Sequence, residues 1–362
     1  MSRKRKIAIV CSREPWRIGG VERVVAETAK RLKIDFNLEI FCIGEKTETA
    51  IWEEIPVHVF KGHTAMYPFS LFLYKELKTK LGNFDLIHSH NFATFSTLAS
   101  ILANKRGVPV VFSPHFNPAA SKSSYSIFRP VYDRTLGKYV LRRTDFIIYA
   151  SEAERNLVES RFGLKKKSAV IHYGADIAKL SDAEPYNLGQ ENVVLYLGRL
   201  EKSKNVHHII MAMEALPDDF FLYIIGDGSY SSQLRKLIAR LNLGNRVKML
   251  DPVRGEAVFR WMKSCSVFVQ LSESESYGLT CIEALAAGKP VVVNDNKTGL
   301  TELATLFKGS IFTVNVRRQS ARDIAKVIKE VNGTKVNSDL SKFDWDETAK
   351  GFKRVYLSLL GD

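Results

Sequence analysis

Residues 266–293 read SVFVQLSESESYGLTCIEALAAGKPVVV. Two short valine-rich runs, SVFVQL and KPVVV, flank a segment that passes through CIEALAAG, helical in composition and ended by glycine. Apolar runs separated by such a stretch are parallel strands joined by a crossover helix. SYGLT reads as the loop entering that helix, which puts Glu275 ahead of it and Glu283 about two turns inside. The backbone N–H groups of Tyr277, Gly278 and Leu279 then face outward at the positive helix end, where phosphate oxygens are stabilised. A carboxylate at Glu283 facing a cleft can accept two hydroxyls of a ribose or sugar; taken alone it equally suits a salt-bridged surface glutamate.

Outward from this unit the same alternation repeats. Toward the N-terminus lie NVVLYLG (192–198), FFLYIIG (220–226) and NRVKML (245–250), and beyond it GSIFTV (309–314). An earlier series runs KIAIVC (6–11), LEIFCI (38–43), PVHVF (56–60), FDLIHSH (84–90), VPVVFS (108–113), TDFIIYA (144–150) and SAVIHY (168–173). The fold class is α/β, with two doubly wound sheets. Amphipathic stretches fill the gaps, as in VERVVAETAKRLK (21–33), where Val21, Val24, Val25, Thr28 and Leu32 fall near one face. Between the two series, residues 175–191 are polar, hold Pro185 and Gly189 and lack a clear period, which suits a linker. The domains are therefore 1–175 and 176–345, with 346–362 a terminal helix that starts at Asp344 or Asp346, carries Phe352, Val355, Tyr356 and Leu359 on one side, and can pack back on the first domain or elsewhere. A chain of 362 residues exceeds what one hydrophobic core organises, so two lobes with a ligand cleft are expected.

Composition narrows the class. With 45% hydrophobic and 25% charged residues the chain is globular. Cys11, Cys42, Cys265 and Cys281 show no CxxC spacing, so neither a disulfide framework nor a zinc site is expected. The basic run Arg3 to Lys6 precedes an apolar stretch too short for a signal peptide, and no window reaches the length of a membrane span; a cytoplasmic protein, soluble or peripheral, is expected. The net charge of +14 sits mainly in residues 1–175, where 28 Lys and Arg face 16 Asp and Glu. That asymmetry suits a polyanionic or membrane-surface partner, or simply a basic soluble half. No nucleic-acid-binding module is present, and no G-x-G-x-x-G follows the first strand.

Other strand ends carry candidate chemistry. Gly19 and Gly20 precede a helix, where they permit close approach of an anion or merely form a turn. Arg199 and Lys204 follow the strand ending at Gly198; a planar fork and a compact cation suit a pyrophosphate, or a solvated loop. His88 and His90 flank a strand end without a third ligand at metal spacing, which favours packing. The Asp344-Trp345-Asp346 string precedes an amphipathic helix and reads as capping rather than a metal motif.

The set resembles the retaining glycosyltransferases of family 4, glycosyltransferase group 1, whose E-x7-E region matches Glu275 and Glu283. Resembling segments run through most of the chain: Gly19-Gly20, HFNP around His115, IHYGAD (171–176), GRLEKSKN (198–205), IIGDG (224–228), GKPVV, Glu302 and the terminal FDW helix. The resemblance implies the GT-B fold, two facing Rossmann-like domains with a donor cleft between them, where 1–175 is expected to take the acceptor and 176–345 the nucleotide-sugar donor. It implies that Arg199 and Lys204 hold the donor diphosphate, that Glu283 binds the ribose hydroxyls, and that Glu275 contacts the sugar. Ser276, Tyr277, Gly278 and Leu279 would complete the donor pocket by their backbone, Gly19 and Gly20 would close over it, and His115 would stand near the sugar and phosphate. His115 by itself equally suits a packed loop histidine. Tyr173, Asn205 and Thr280 depart from the asparagine, glycine and proline common at those places.

The function expected is transfer of a glycosyl unit from a nucleotide sugar to an acceptor hydroxyl, that of a glycolipid, a lipid-linked or a polysaccharide precursor, with retention, without a metal or other cofactor. The alternatives are a noncatalytic nucleotide-sugar-binding protein and another GT-B enzyme such as an epimerase. KSSYSIFRPVYDRTLGKYVLRR (122–143) and AMYPFSLFLYKELKTK (65–80) mix basic with aromatic and apolar residues, which suits a lipid-linked acceptor and an anionic membrane surface, or helices packed on a sheet.

Overall fold

A strand covered by helices on both faces is apolar nearly throughout, and the central strands follow that rule. The computed structural model describes residues 3–63, 70–92, 107–116, 129–336 and 338–361. One unit runs to Tyr173 and takes in Trp345–Asp362; the other is Gly174–Asp344.

The first unit holds β1 (Lys6–Val10), β2 (Asn37–Gly44), β3 (Glu48–Trp52), β4 (Ile55–Lys61), β5 (Leu86–His90), β6 (Val110–Ser113), β7 (Phe146–Tyr149) and β8 (Ser168–Val170). Among the described residues they form an eight-stranded sheet in the order β3-β4-β2-β1-β5-β6-β7-β8. All pairs are parallel except β3 with β4. From β1 the chain builds outward to β2 on one side and later to β5 on the other, so the topological switch lies at the carboxyl ends of β1 and β5. Strand β3 was not legible as a strand. It is an edge strand with no buried residue, and a tight turn at Glu53 and Glu54, both at positive φ, pairs Trp52 with Ile55.

The helix Gly20–Leu32 buries Val24, Val25, Thr28 and Leu32 of the face read from the sequence and leaves Val21, in its first turn, half-buried. The terminal helix Trp345–Leu360 belongs to this first unit and buries Phe352, Val355 and Tyr356, while Leu359, in its last turn, is only half-buried. Burial of each such side chain stabilises by roughly 1.5–3 kcal/mol. Asp346 lies inside its first turn, where a carboxylate meets the positive helix end, and accepts from Arg31 Nε at 2.5 Å.

The second unit holds β9 (Asn192–Leu197), β10 (Phe220–Ile225), β11 (Val247–Leu250), β12 (Val267–Gln270), β13 (Val291–Asn294) and β14 (Ile311–Val314). They form a parallel sheet in the order β11-β10-β9-β12-β13-β14. Its switch point lies at the carboxyl ends of β9 and β12. Val194, Leu222, Val267, Val269 and Val292 form its core with Ile209, Ile210, Leu234, Ile324 and Ile328 from the covering helices. Within 175–191, read as linker, residues Ile177–Asp182 form a short helix that buries Leu180; six residues are too few to show a period.

Candidate active site

The loop after β9 is fixed by backbone contact with the loop after β10. The Gly198 N–H donates to the Ile225 carbonyl at 3.0 Å and the Leu200 N–H to the Asp227 carbonyl at 2.9 Å. A Cβ at Gly226 would stand 1.9 Å from the Gly198 oxygen, and one at Gly228 2.4 Å from the Leu200 oxygen, so the approach requires glycine at both. Tyr196, buried in the sheet, donates its hydroxyl to the Arg199 carbonyl at 2.8 Å. Arg199 itself is exposed and pairs with Glu201 at 3.0 Å.

Lys204 ends the short 3-10 turn Lys202–Lys204 and is buried. Asn205, next, is left-handed at φ +57°, which a glycine adopts freely and asparagine tolerates. Its side-chain amide donates to the Leu271 carbonyl at 2.9 Å, so the departure from glycine ties this turn to the end of β12.

Across the switch point Lys204 Nζ donates to Glu275 Oε1. The same oxygen accepts from Gln270 Nε2 and from Ser272 Oγ, each at 3.1 Å. Burial opposes the charge on Glu275, yet Lys204 and then Ser272 outweigh it and hold the carboxyl below its usual range. Thr280 Oγ1 donates to Gln270 Oε1 at 2.5 Å, which orients the amide with its NH2 toward Glu275. Asn296 Nδ2 donates to the carbonyls of Ser272 and Glu273, at 2.9 and 2.6 Å, and secures the loop bearing Glu275.

The helix Leu279–Ala286 begins at Gly278, whose φ of +117° is open to glycine and which supplies no side-chain cap. Ser276 and Tyr277 lead into it, and the Gly299 N–H donates to the Glu275 carbonyl at 3.0 Å. Glu283 lies in this helix and is 1% exposed, so it is not a surface glutamate.

The structure thus brings Lys204 and Glu275 together, with the N-terminus of the Leu279–Ala286 helix next in sequence. Gln270, Ser272 and Asn296, which support them, were not singled out from the sequence, and Thr280 was noted there as a departure from proline and not as a support; the polar residue closing the apolar run VFVQ and the NDN after VVV were the signals available.

Gly19, Gly20 and His115 belong to the other unit. Gly20 opens the helix Gly20–Leu32, with Gly19 as an extended N-cap. His115, after β6, has Nε2 3.0 Å from His90 Nδ1 and Nδ1 3.3 Å from the Tyr173 hydroxyl. His88 meets the Tyr356 hydroxyl at 2.6 Å and Ser113 Oγ at 2.9 Å. Burial pushes His88 and His115 down to about 3, so both are neutral at ordinary pH. At this unit's switch point, Asn91 after β5 donates to Ser12 after β1. Among the described residues no three or more His, Cys, Asp or Glu side chains are grouped to hold a metal ion. Residues 65–69, 117–118 and 122–128, parts of three segments singled out above, lie outside the described residues.

Two family models match consecutive parts of the chain. The family model described as Glycosyltransferase Family 4 matches residues 18–179 and that described as Glycosyl transferases group 1 matches 180–342. An uncharacterised glycosyltransferase of Methanocaldococcus jannaschii is 25% identical over 94% of this chain and 95% of its own. The Campylobacter jejuni N-acetylgalactosamine-N,N'-diacetylbacillosaminyl-diphospho-undecaprenol 4-alpha-N-acetylgalactosaminyltransferase is 26% identical over 79% of this chain and 80% of its own. Among solved structures, sucrose-phosphate synthase from Thermosynechococcus elongatus superposes with TM-score 0.82 at 18% identity over 99% of this chain and all of that one. HepE of Anabaena in complex with UDP-glucose gives 0.70 at 20% identity, covering 99% and 97%.

Proposed function

We propose that this chain, a glycosyltransferase of the group 1, GT-B type, moves a hexosyl unit from a nucleoside-diphosphate sugar to a hydroxyl of a lipid-linked acceptor with retention of configuration. The observation that carries the donor half is the buried Lys204–Glu275 pair at the switch point of the second sheet. A diphosphate offers Lys204 a stronger counter-charge than one shared carboxylate oxygen, and Glu275, once released, can accept sugar hydroxyls. Arg199 exchanges its exposed bond to Glu201 for the same phosphates, and Glu283 takes the ribose hydroxyls. The bond between the anomeric carbon and the diphosphate oxygen breaks, the acceptor oxygen bonds to that carbon on the same face, and the acceptor proton passes to the departing phosphate. Lys204, Arg199 and the helix N-terminus stabilise the charge that develops on that phosphate, the part a divalent cation plays elsewhere.

The Campylobacter relative, whose name includes diphospho-undecaprenol, and the UDP-glucose bound by HepE support the acceptor and donor classes. No helix among the described residues is long and apolar enough to cross a membrane. Exposed Leu71, Phe72, Val131 and Tyr139, with Lys138, Arg142 and Arg143 close in sequence, support a peripheral contact with anionic lipid.

The test is a calorimetric screen of nucleoside diphosphates and nucleotide sugars against the wild type, Lys204→Ala and Glu283→Ala. Product anomer analysis and transfer in the presence of chelator follow. Binding of one nucleotide series abolished by both substitutions, with a retained anomer and chelator-insensitive turnover, is the expected result. A folded protein that binds no diphosphate sinks the reading.

A further inference from the structure

His115 stands at the end of β6 with a left-handed backbone, φ +46°. A residue with a Cβ keeps that conformation only where its surroundings hold it. The hold is visible on both sides of the residue. The next amide, Phe116 N–H, donates to Glu154 Oε1 at 2.5 Å, and Glu154 Oε2 accepts from the Ala150 N–H at 2.7 Å. Glu154 is 2% exposed, so one buried carboxylate ties the end of β6 to the end of β7. Glu154 is itself seated by its own N–H, which donates to Ser151 Oγ at 3.0 Å at the start of the helix Glu152–Phe162.

The ring is held separately. Its two nitrogens meet His90, which closes β5, and Tyr173, which follows β8. The His90 and His115 rings lie nearly parallel, 19° apart. Burial keeps both imidazoles neutral, so each has one donor and one acceptor nitrogen, and a single proton occupies the contact between them. A phenol is a better donor to imidazole nitrogen than an acceptor from it. With Tyr173 donating to Nδ1 of His115, the ring proton sits on Nε2 and is donated to His90 Nδ1.

We propose that Glu154, Tyr173 and His90 are positioning residues for His115, Glu154 fixing the turn that aims the ring and Tyr173 with His90 holding it as the Nε2–H tautomer. Tyr173 stands where the resembling family commonly has asparagine, so the phenol's part of this mount departs from that pattern. Its consequence for transfer rests on the reading of His115 as a group that meets substrate, whereas the mount itself does not.

The two are tested apart. Long-range proton–nitrogen spectra of 15N-histidine-labelled, donor-free protein are recorded for the wild type and Tyr173→Phe, with His115→Asn to assign the signals. The wild type gives an acceptor-type Nδ1 and a protonated Nε2 at His115. In Tyr173→Phe that pattern changes, while His88, bonded to Tyr356 and Ser113, keeps its own and serves as the internal reference. Glu154→Gln sets an NH2 group against a backbone N–H, so amide exchange at Phe116 or Ala150 speeds at least about tenfold. In transfer, kcat of Tyr173→Phe falls about three- to tenfold with KM held. His115 signals identical to the wild type in a Tyr173→Phe protein of unchanged melting temperature overturn the mount. Signals that shift while kcat is unchanged uphold the mount and remove His115 from the transfer step.

Discussion

Replacing Lys204 with Met keeps the aliphatic stem and removes the charge, leaving Glu275 with two neutral donors, Gln270 and Ser272. Breaking a buried ion pair from one side costs about 3–5 kcal/mol. Here the two side chains retain 11% and 18% exposure and the carboxylate keeps its other hydrogen bonds, which argues for less. About 2–3 kcal/mol is expected at pH 7, or a fall of about 5–10 °C in Tm for a unit of this size. The pH dependence carries the sharper test. In the wild type Glu275 is held below its unfolded value near 4.3, so its contribution is full above that pH and is lost as pH falls through the folded value. In Lys204→Met burial is no longer outweighed by Lys204 and is opposed by Ser272, Gln270 and the charge of Arg199 alone, so the carboxyl rises relative to the wild type; the penalty is largest at neutral pH and shrinks as Glu275 takes up a proton. Denaturant unfolding of both proteins from pH 7.5 to 4.5 checks this, with Lys204→Met/Glu275→Gln recovering at least half the loss at pH 7.5. A stability gap that stays constant across that range, or a double variant no better than Lys204→Met, refutes the reasoning.

Gly226→Ala forces a Cβ to 1.9 Å from the Gly198 oxygen at φ +145°, so it is expected to cost more than about 3 kcal/mol. Gly244→Ala, with nothing within 4 Å of its Cβ, is expected to melt with the wild type. In the first unit, His88 and His115 are neutral down to about pH 3 when folded, whereas in the unfolded chain they titrate near 6.5. The sign follows: their stabilisation is full above about pH 6.5 and is lost on acidification, by up to about 1.4 kcal/mol per pH unit for each ring. His88→Gln should flatten the slope of unfolding free energy against pH by close to one proton, and an unchanged slope between pH 6.5 and 4 contradicts it.

The parallel strands were legible because burial on both faces leaves a continuous apolar run, as in VVVN of β13. Strand β3 was not, since an exposed edge strand keeps its place through hairpin geometry rather than hydrophobic content. Candidate site residues were legible where a charged group stands at a strand end, as at Lys204 and Glu275, which the structure brings together. Their supports depend on which strands lie side by side. Thr280 reaches Gln270 because the helix after β12 folds back on that strand, and no local pattern states this. His90 is the clearest case. Its position at a strand end reads as packing, and the register that pairs His90 with Ser113 brings it to His115.

The two sheets apply one topological rule with opposite chemistry. In each, the chain departs from a central strand to both sides, and the loops diverging there are bridged by side chains: Asn91 to Ser12 in the first, Lys204 to Glu275 in the second. The first bridge is neutral, and the histidines beside it are kept neutral by burial. The second is ionic and lies beside a helix start without a side-chain cap. Uncharged donors and acceptors discriminate among hydroxyls, because an unmet buried hydroxyl partner is costly, whereas fixed charges discriminate little among sugars and bind diphosphates strongly. On the proposed function, with the donor in the second unit and the acceptor in the first, donor affinity should respond to salt and to charge substitutions in the second unit, and selectivity for the hydroxyl-bearing ligand should respond to neutral substitutions such as Ser12→Ala in the first.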